Sequence, residues 1–264
     1  MDNLDSLYSA DFRQTRLTRE GTPFQTFFET FDPKNHELRV MQERNDCWYT
    51  YEVVSGLPEG LGPLIFKVYH HHKFKVPLSE RIGGYFRIPD AKHAFKIGDY
   101  LSKHNTSLSP KTYAYTKVKK KGRYHASYLF QEFLPNAQST DDYIRTCQKK
   151  DKIKIIRQLA KVFVALHKES ICHFDPGFNN IIVQNHRPYI IDYDDAVRLP
   201  KGVRFLGFLC VVFDLNILLL AFQQKFPKWD RYRFYSAYAK QSSWSKRKLG
   251  IMSLFINKAY FPKT

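Results

Sequence analysis

Apolar positions recur along this chain with two different periods, and the change from one to the other falls near Pro135. Upstream, short runs rich in β-branched and aromatic residues alternate with turn residues. They lie at 37–41, at 48–54 (WYTYEVV) and at 64–70 (LIFKVYH), a pattern that predicts strands. The turn-rich SGLPEGLGP stretch joins the last two. A helical stretch opens at Pro89–Asp90, with Ala94, Ile97 and Leu101 on one face. Strand-like runs at 112–118 and 124–133 follow, joined by the charged KVKKKGR turn. The predicted order is β-β-β-α-β-β. Residues 1–36 show no clear period and read as an arm or irregular lead-in.

Downstream of Pro135 the helical period dominates. Ser139 or Thr140 can cap a helix whose first turn holds Asp141 and Asp142. Residues 152–168 form an amphipathic pattern, with Ile155, Ile156, Leu159, Phe163 and Leu166 at helical spacing. Then come a turn-rich CHFDPGFNN segment, a strand at 181–183, a QNHR turn and a strand at 188–192. The rest predicts helices at 208–224, 229–240 and about 245–258, with no internal repeat. The most apolar stretch, 205–222, carries Asp214 and Asn216 near its middle. It reads as a buried helix of about 18 residues rather than a membrane span of roughly 20.

Composition narrows the class. The chain has 264 residues, 43% of them hydrophobic, which suits a globular protein large enough for two cores. Forty-two Lys and Arg against 25 Asp and Glu leave a net charge of +17. Such a surface favours polyanionic partners: nucleic acid, an anionic membrane face, or a phosphorylated or acidic substrate. Cys47, Cys147, Cys172 and Cys210 form no Cys-x-x-Cys pair, which fits no zinc template and suits a reducing compartment. The acidic N-terminus has no apolar h-region and reads as no signal peptide.

The chemistry concentrates in His173-Phe174-Asp175-Pro-Gly-Phe-Asn-Asn180, followed after a short hairpin by Ile190-Ile191-Asp192-Tyr193-Asp194. A carboxylate five residues before an amide, and a second carboxylate at a strand end, are the groups phosphoryl transfer requires. One group orients the attacking hydroxyl, and oxygen ligands hold Mg²⁺ against the phosphates. The bland alternative is a β-hairpin with ordinary turn Asp and Asn residues. The order resembles the kinase catalytic loop, His-x-Asp-x-x-x-x-Asn, and the Asp of the Asp-Phe-Gly motif. That resemblance implies an α+β, protein-kinase-like two-lobed fold, with an antiparallel-sheet N-lobe over 37–134 and a mostly helical C-lobe over 135–264. It implies Asp175 as catalytic base, and Asn180 and Asp192 as metal ligands. It also implies Lys67, on the third predicted strand, as the phosphate-pairing Lys. Leu129–Leu134 becomes the inter-lobe hinge, where Glu132 and Leu134 contact adenine through the backbone.

A finer resemblance points to the lipopolysaccharide core kinases, which phosphorylate Kdo or heptose sugars. It rests on IFKVYHHHK, Tyr85, Ala91-Lys-His-Ala-Phe95, Pro110, IIDYDDA and Asp214-Leu-Asn216-Ile-Leu-Leu-Leu-Ala. It implies ATP and Mg²⁺ as cofactors and an anionic glycolipid, or another hydroxyl compound, as acceptor. It implies a cytoplasmic protein with peripheral contact at the inner membrane, and no nucleic-acid partner.

Three positions depart from the kinase pattern. The place of the Gly-rich phosphate loop holds Gln42-Glu43-Arg44-Asn45-Asp46 with no glycine, and Arg44 is the candidate phosphate contact instead. The helix position expected to carry a Glu falls at Ala94, with Glu80, Asp90 and Asp99 as possible substitutes. Tyr193-Asp194 replaces Phe-Gly, and no activation loop follows, which argues against a regulated protein kinase. Asp194 reads equally as a second acidic group near the metal or a strand-end carboxylate. The alternatives are a kinase of another small molecule or protein, a pseudokinase binding module, or a nucleic-acid-binding module that explains the charge but not the acidic constellation. His70-His71-His72 reads as a solvated or substrate-facing cluster, since only alternate residues of a strand share a face. His173 reads as a loop-shaping residue. Lys117–Arg123 reads as a solvated hairpin whose functional version is contact with anionic lipid heads.

Overall fold

The structure, a computed structural model, describes residues 12–44, 48–70, 91–104, 108–121, 123–200, 204–242 and 244–256. The chain divides into two compact units, one of Met1–Thr106 with Pro110–Pro135 and one of Ser107–Ser109 with Asn136–Thr264. Tyr85, Glu80, Asp90, His71, His72 and Asn45–Cys47 lie outside the described residues.

The first unit holds a six-stranded antiparallel sheet: β1 (Phe12–Leu17), β2 (Leu38–Arg44), β3 (Trp48–Val53), β4 (Leu64–His70), β5 (Thr112–Lys120) and β6 (Arg123–Glu132). Their spatial order is β1-β5-β6-β4-β3-β2. A β-bulge between Val40 and Gln42 shifts the β2–β3 register. Alternation along the strands sorts side chains to two faces. Tyr51, Phe66, Tyr128 and Phe130 join a buried cluster with Phe28 and Phe31. Withdrawing each such side chain from water contributes about 1.5–3 kcal/mol. The other face carries Tyr115, whose ring lies 5.9 Å from that of Phe95. Phe95 belongs to helix α2 (Ala91–His104), which buries Ala94, Ile97 and Leu101.

Residues read as an irregular lead-in contribute both an edge strand and core aromatics. Strand β1 and helix α1 (Gln25–Thr30) lie within them. The strand FRQTRL lacks apolar alternation because it sits at the sheet edge and is held by polar contacts. Thr15 Oγ1 and Thr116 Oγ1 are 3.0 Å apart, and an Arg13 guanidinium N–H donates to Phe31 O at 2.7 Å. Beyond β1, the chain passes so close to β5 that a Cβ on Gly21 would lie 2.2 Å from Tyr113 O. Only glycine fits that approach.

In the second unit, α3 (Thr140–Thr146) is capped by Ser139, whose hydroxyl accepts from Asp142 N. Helix α4 (Lys149–Lys168) buries Ile155, Ile156, Leu159, Phe163 and Leu166 and packs against α6 (Lys228–Gln241). Helices α5 (Arg204–Lys225) and α7 (Lys246–Phe255) complete the helical part. Two small sheets accompany it. One runs β10 (Arg187–Ile190), β9 (Ile181–Gln184), β7 (Gln138–Ser139), and the other pairs β11 (Val197–Arg198) with β8 (Ile171–Cys172).

Candidate active site

The candidate catalytic residues Asp175, Asn180 and Asp192 are built on the β9–β10 hairpin and the turn that precedes it. Asn185 and His186 both adopt positive φ, 49° and 60°, the backbone of a tight two-residue hairpin. Its register pairs Ile190 with Ile181, and Ile191 N donates to Asn180 O at 2.9 Å. The ladder therefore ends with Asn180 opposite Ile191 and Asp192 one residue further, at the same end of the hairpin. On the other side, Asn180 Nδ2 donates to Asp175 Oδ2 at 2.8 Å and to Asp175 O at 3.0 Å. That orientation commits the amide N–H₂ to Asp175 and turns the amide oxygen, a hard-cation donor, the other way. Asp175 is exposed, and Asn180 and Asp192 are half-buried.

The loop itself is held by a buried carboxylate that the sequence reading did not use as a site residue. Asp214, on α5 and fully buried, accepts the backbone N–H of His173 at 2.7 Å and of Phe174 at 2.8 Å. His167 Nε2 lies 3.1 Å from its Oδ2, and His167 Nδ1 lies 2.8 Å from the Tyr238 hydroxyl. A carboxylate only accepts, so the Nε2–H of His167 must donate to it. Three donors thus satisfy one buried charge, as burial of a carboxylate demands. Burial, and then the Asp214 charge, push the Cys172 thiol and the Tyr238 hydroxyl well above their ordinary ranges. The signal for Asp214 was present in the sequence as an acid inside an 18-residue apolar run, which has to be paired if it is buried.

Phe174 adopts φ 63° and Asp192 also φ 63°. A left-handed backbone at a non-glycine residue costs on the order of 1–3 kcal/mol and persists where its surroundings over-determine it. For Phe174 the surroundings are the Asp214 bond and a ring contact with Phe213 at 5.5 Å. His173 is buried, with Nε2 3.0 Å from Ile191 O and its ring 5.4 Å from that of Tyr193. It ties the loop to the hairpin end rather than facing solvent. Tyr193 is itself fully buried. Burial raises its hydroxyl pKa against a smaller opposing effect of the Ser109 hydrogen bond.

The remaining candidates lie in the first unit. Lys67 stands fourth in chain order, not third, because β1 precedes it. It is buried, opposite Thr50 on β3 and Leu129 on β6, and alternation places it on the Tyr115 face rather than in the aromatic cluster. Glu132 ends β6. Its N–H donates to Lys111 O at 2.8 Å and its carboxylate accepts from Lys111 N at 3.0 Å, while Phe133 N donates to Pro63 O. Leu134 follows, buried. Arg44 ends β2 opposite Trp48, and its side chain is outside the described residues. Ala94 is buried in α2 with no acid in its place. Asp99, one of the acids considered as a substitute, pairs with Lys103 on its own helix at 2.8 Å. His70 is fully buried, its ring edge-on to Tyr49, so it is no solvated cluster member. Among the described residues no group of three or more His, Cys, Asp or Glu could hold a metal. One carboxylate and one amide nevertheless fit Mg²⁺, which takes few protein ligands and completes its shell with waters and substrate phosphates.

A model of the lipopolysaccharide kinase (Kdo/WaaP) family matches residues 104–238, more than half of the chain. The chain belongs to this family. The match spans the loop carrying Asp175 and Asn180, the hairpin and Asp214 of this Kdo/WaaP-family protein. Among solved structures it resembles WaaP in complex with acyl carrier protein, with a TM-score of 0.58 and 15% identity, covering 90% of this chain and 99% of that one. The fold is therefore the kinase-like one, an antiparallel-sheet N-terminal part and a mostly helical C-terminal part. WbdD is also similar, with a TM-score of 0.47 and 18% identity over 86% of this chain and 46% of that one. No curated protein matches the sequence.

Proposed function

We propose that this protein transfers the γ-phosphoryl group of ATP to a sugar hydroxyl, Kdo or heptose, of the lipopolysaccharide inner core. The observation that carries the reading is the Asn180 Nδ2–Asp175 Oδ2 bond of 2.8 Å, on a loop whose hairpin brings Asp192 to the same end. Asp175 accepts the proton of the acceptor hydroxyl as its oxygen attacks the γ-phosphorus. The bond to the β–γ bridging oxygen breaks, and ADP leaves. Asn180 and Asp192 would hold Mg²⁺, which supplies charge neutralisation on the phosphates. Lys67 pairs with the nucleotide phosphates, and Arg44 adds a contact where a glycine loop is absent. The N–H groups of Glu132 and Phe133 are committed within the protein, so adenine contacts on this segment fall to the Glu132 carbonyl and the Leu134 N–H. A kinase spending ATP on a lipid-borne sugar works in the cytoplasm, at the inner-membrane face, where its basic surface meets anionic lipid.

The test is Mg²⁺-dependent transfer of labelled γ-phosphate from ATP to purified Kdo–lipid A, with Asp175→Ala and Asp192→Ala as controls. Transfer by the wild type and loss in both variants is the expected result. A second reading, a nucleotide-binding pseudokinase, draws on the buried Ala94 and the Asp99–Lys103 pair in the helix expected to orient Lys67. It predicts an ATP-induced rise in melting temperature without turnover on any acceptor.

A further inference from the structure

Helix α5 is long and apolar enough to cross a membrane: an 18-residue stretch of it has a mean hydropathy of 2.4, yet only 44% of that stretch is buried. Its apolar residues fall on two opposite faces. Val211, Val212, Leu215, Leu218, Leu219 and Phe222 are buried. Phe205, Leu206, Leu209, Phe213 and Leu220 are exposed. At 3.6 residues per turn the exposed five share an arc of about 100°. The core helix of a soluble protein carries mostly polar residues on its outer face, whereas over 205–222 this arc is apolar except for Asn216. Helix α7 extends the surface. Asn216, on the exposed arc, donates to Phe255 O at 3.2 Å, and α7 exposes Ile251, Leu254 and Phe255. Of the 13 large apolar side chains exposed among the described residues, these two helices supply eight, so the surface is a patch rather than scatter.

Two features say what covers it. Exposed Lys246 and Arg247 open α7, and Arg247 stands on the same face as Ile251 and Leu254 by i, i+4 and i, i+7 spacing. Cations at the edge of an apolar helical face, on a chain of net charge +17, complement an anionic bilayer surface. The patch also adjoins the chemistry, because Phe213 touches Phe174, the neighbour of Asp175.

We infer that the outer faces of α5 and α7 dock in the headgroup region of an anionic bilayer and present Asp175 to an acceptor anchored there. The inference rests on the proposed kinase function for its acceptor, and on the patch alone for its membrane contact. The test compares wild type with a Phe205→Ser/Leu209→Ser/Leu254→Ser variant, three exposed positions away from the catalytic loop. Both are sedimented with vesicles of phosphatidylethanolamine and phosphatidylglycerol, and with phosphatidylcholine alone. The wild type is expected to bind the anionic vesicles and to be released by salt. The variant is expected to bind them at least about tenfold more weakly, since it loses the buried apolar area, with an unchanged melting temperature. Its transfer to vesicle-borne acceptor should fall, and its transfer to a deacylated acceptor should not. Equal vesicle binding by the two proteins overturns the inference. So does no binding by the wild type, whether the patch then proves to bind an acyl carrier protein or a second copy of the chain by sedimentation velocity. Vesicle binding lost in the variant, with no transfer to either acceptor by the wild type, would uphold the docking surface and sink the kinase function.

Discussion

Replacing Asp214 with Asn separates the loop's support from its chemistry. The carboxylate receives two backbone N–H groups and the His167 Nε2–H, all between 2.7 and 3.1 Å. An amide keeps one oxygen and turns an N–H₂ toward at least one of these donors. A hydrogen bond to a charged group contributes about 1.5–3 kcal/mol, and a buried donor left unmade costs about 1–3 kcal/mol. Losing one bond outright and weakening the others should therefore cost roughly 2–4 kcal/mol. For a domain of 150–250 residues, each kcal/mol moves Tm by about 2–4 °C, so Asp214→Asn should melt on the order of 4–16 °C lower. The released Phe174 N–H also frees the left-handed turn before Asp175, so kcat should fall even where the protein remains folded. Calorimetry and steady-state phosphoryl transfer, run beside Asp175→Asn, give the contrast. The Asp175 variant is expected to lose transfer at nearly wild-type Tm, because its side chain is exposed. An Asp214→Asn protein that melts within about 1 °C of wild type and turns over normally would refute the view that this carboxylate supports the loop.

Gly98 sits in helix α2, where Gly→Ala ordinarily gains about 1 kcal/mol. Here the added Cβ would lie 2.1 Å from Thr112 Oγ1 and 2.8 Å from its Cβ, so Gly98→Ala should lower the urea midpoint instead. Lys67→Met should shrink the ATP-induced rise in Tm, measured against the variant's own nucleotide-free Tm. Cys172 and Tyr238 are held protonated by burial and by Asp214, above ordinary values of 9.0 and 10.0. The folded state therefore binds more protons than the unfolded one above those values. Stability should be fully present below about pH 9 and fall as pH rises further, with the loss reduced in a Cys172→Ala variant measured by chemical denaturation at each pH.

Local pattern made much of the fold legible. The strand at 64–70 and the helix faces of Ala94, Ile97 and Leu101 or Ile155 to Leu166 follow from apolar periodicity because each buries one face against a core. Strand β1 was not legible, since an edge strand held through Thr15, Thr116 and Arg13 needs no apolar alternation. The two-residue strands β8 and β11 are too short to carry a period. Asp175, Asn180 and Asp192 stand at a fixed spacing around one hairpin, so their proximity could be read from sequence. The grip of Asp214 could not be placed, because it joins residues 40 positions apart through the tertiary packing of α5. Apolar run length also hid the two-faced character of that helix, as hydropathy sums over faces that only a structure separates.

Strand β2 closes one side of the sheet, and its bulge has a bearing on how the protein behaves at high concentration. Val40 and Met41 are exposed there, and an exposed apolar edge invites strands of other copies to add on. The extra residue between Val40 and Gln42 breaks the regular ladder and strengthens the local twist. Arg39, paired with Glu52, adds charge beside it. Straightening this edge by deleting Met41 would give neighbouring molecules a continuous template, turning a solubility safeguard into a nucleus for sheet-to-sheet aggregation.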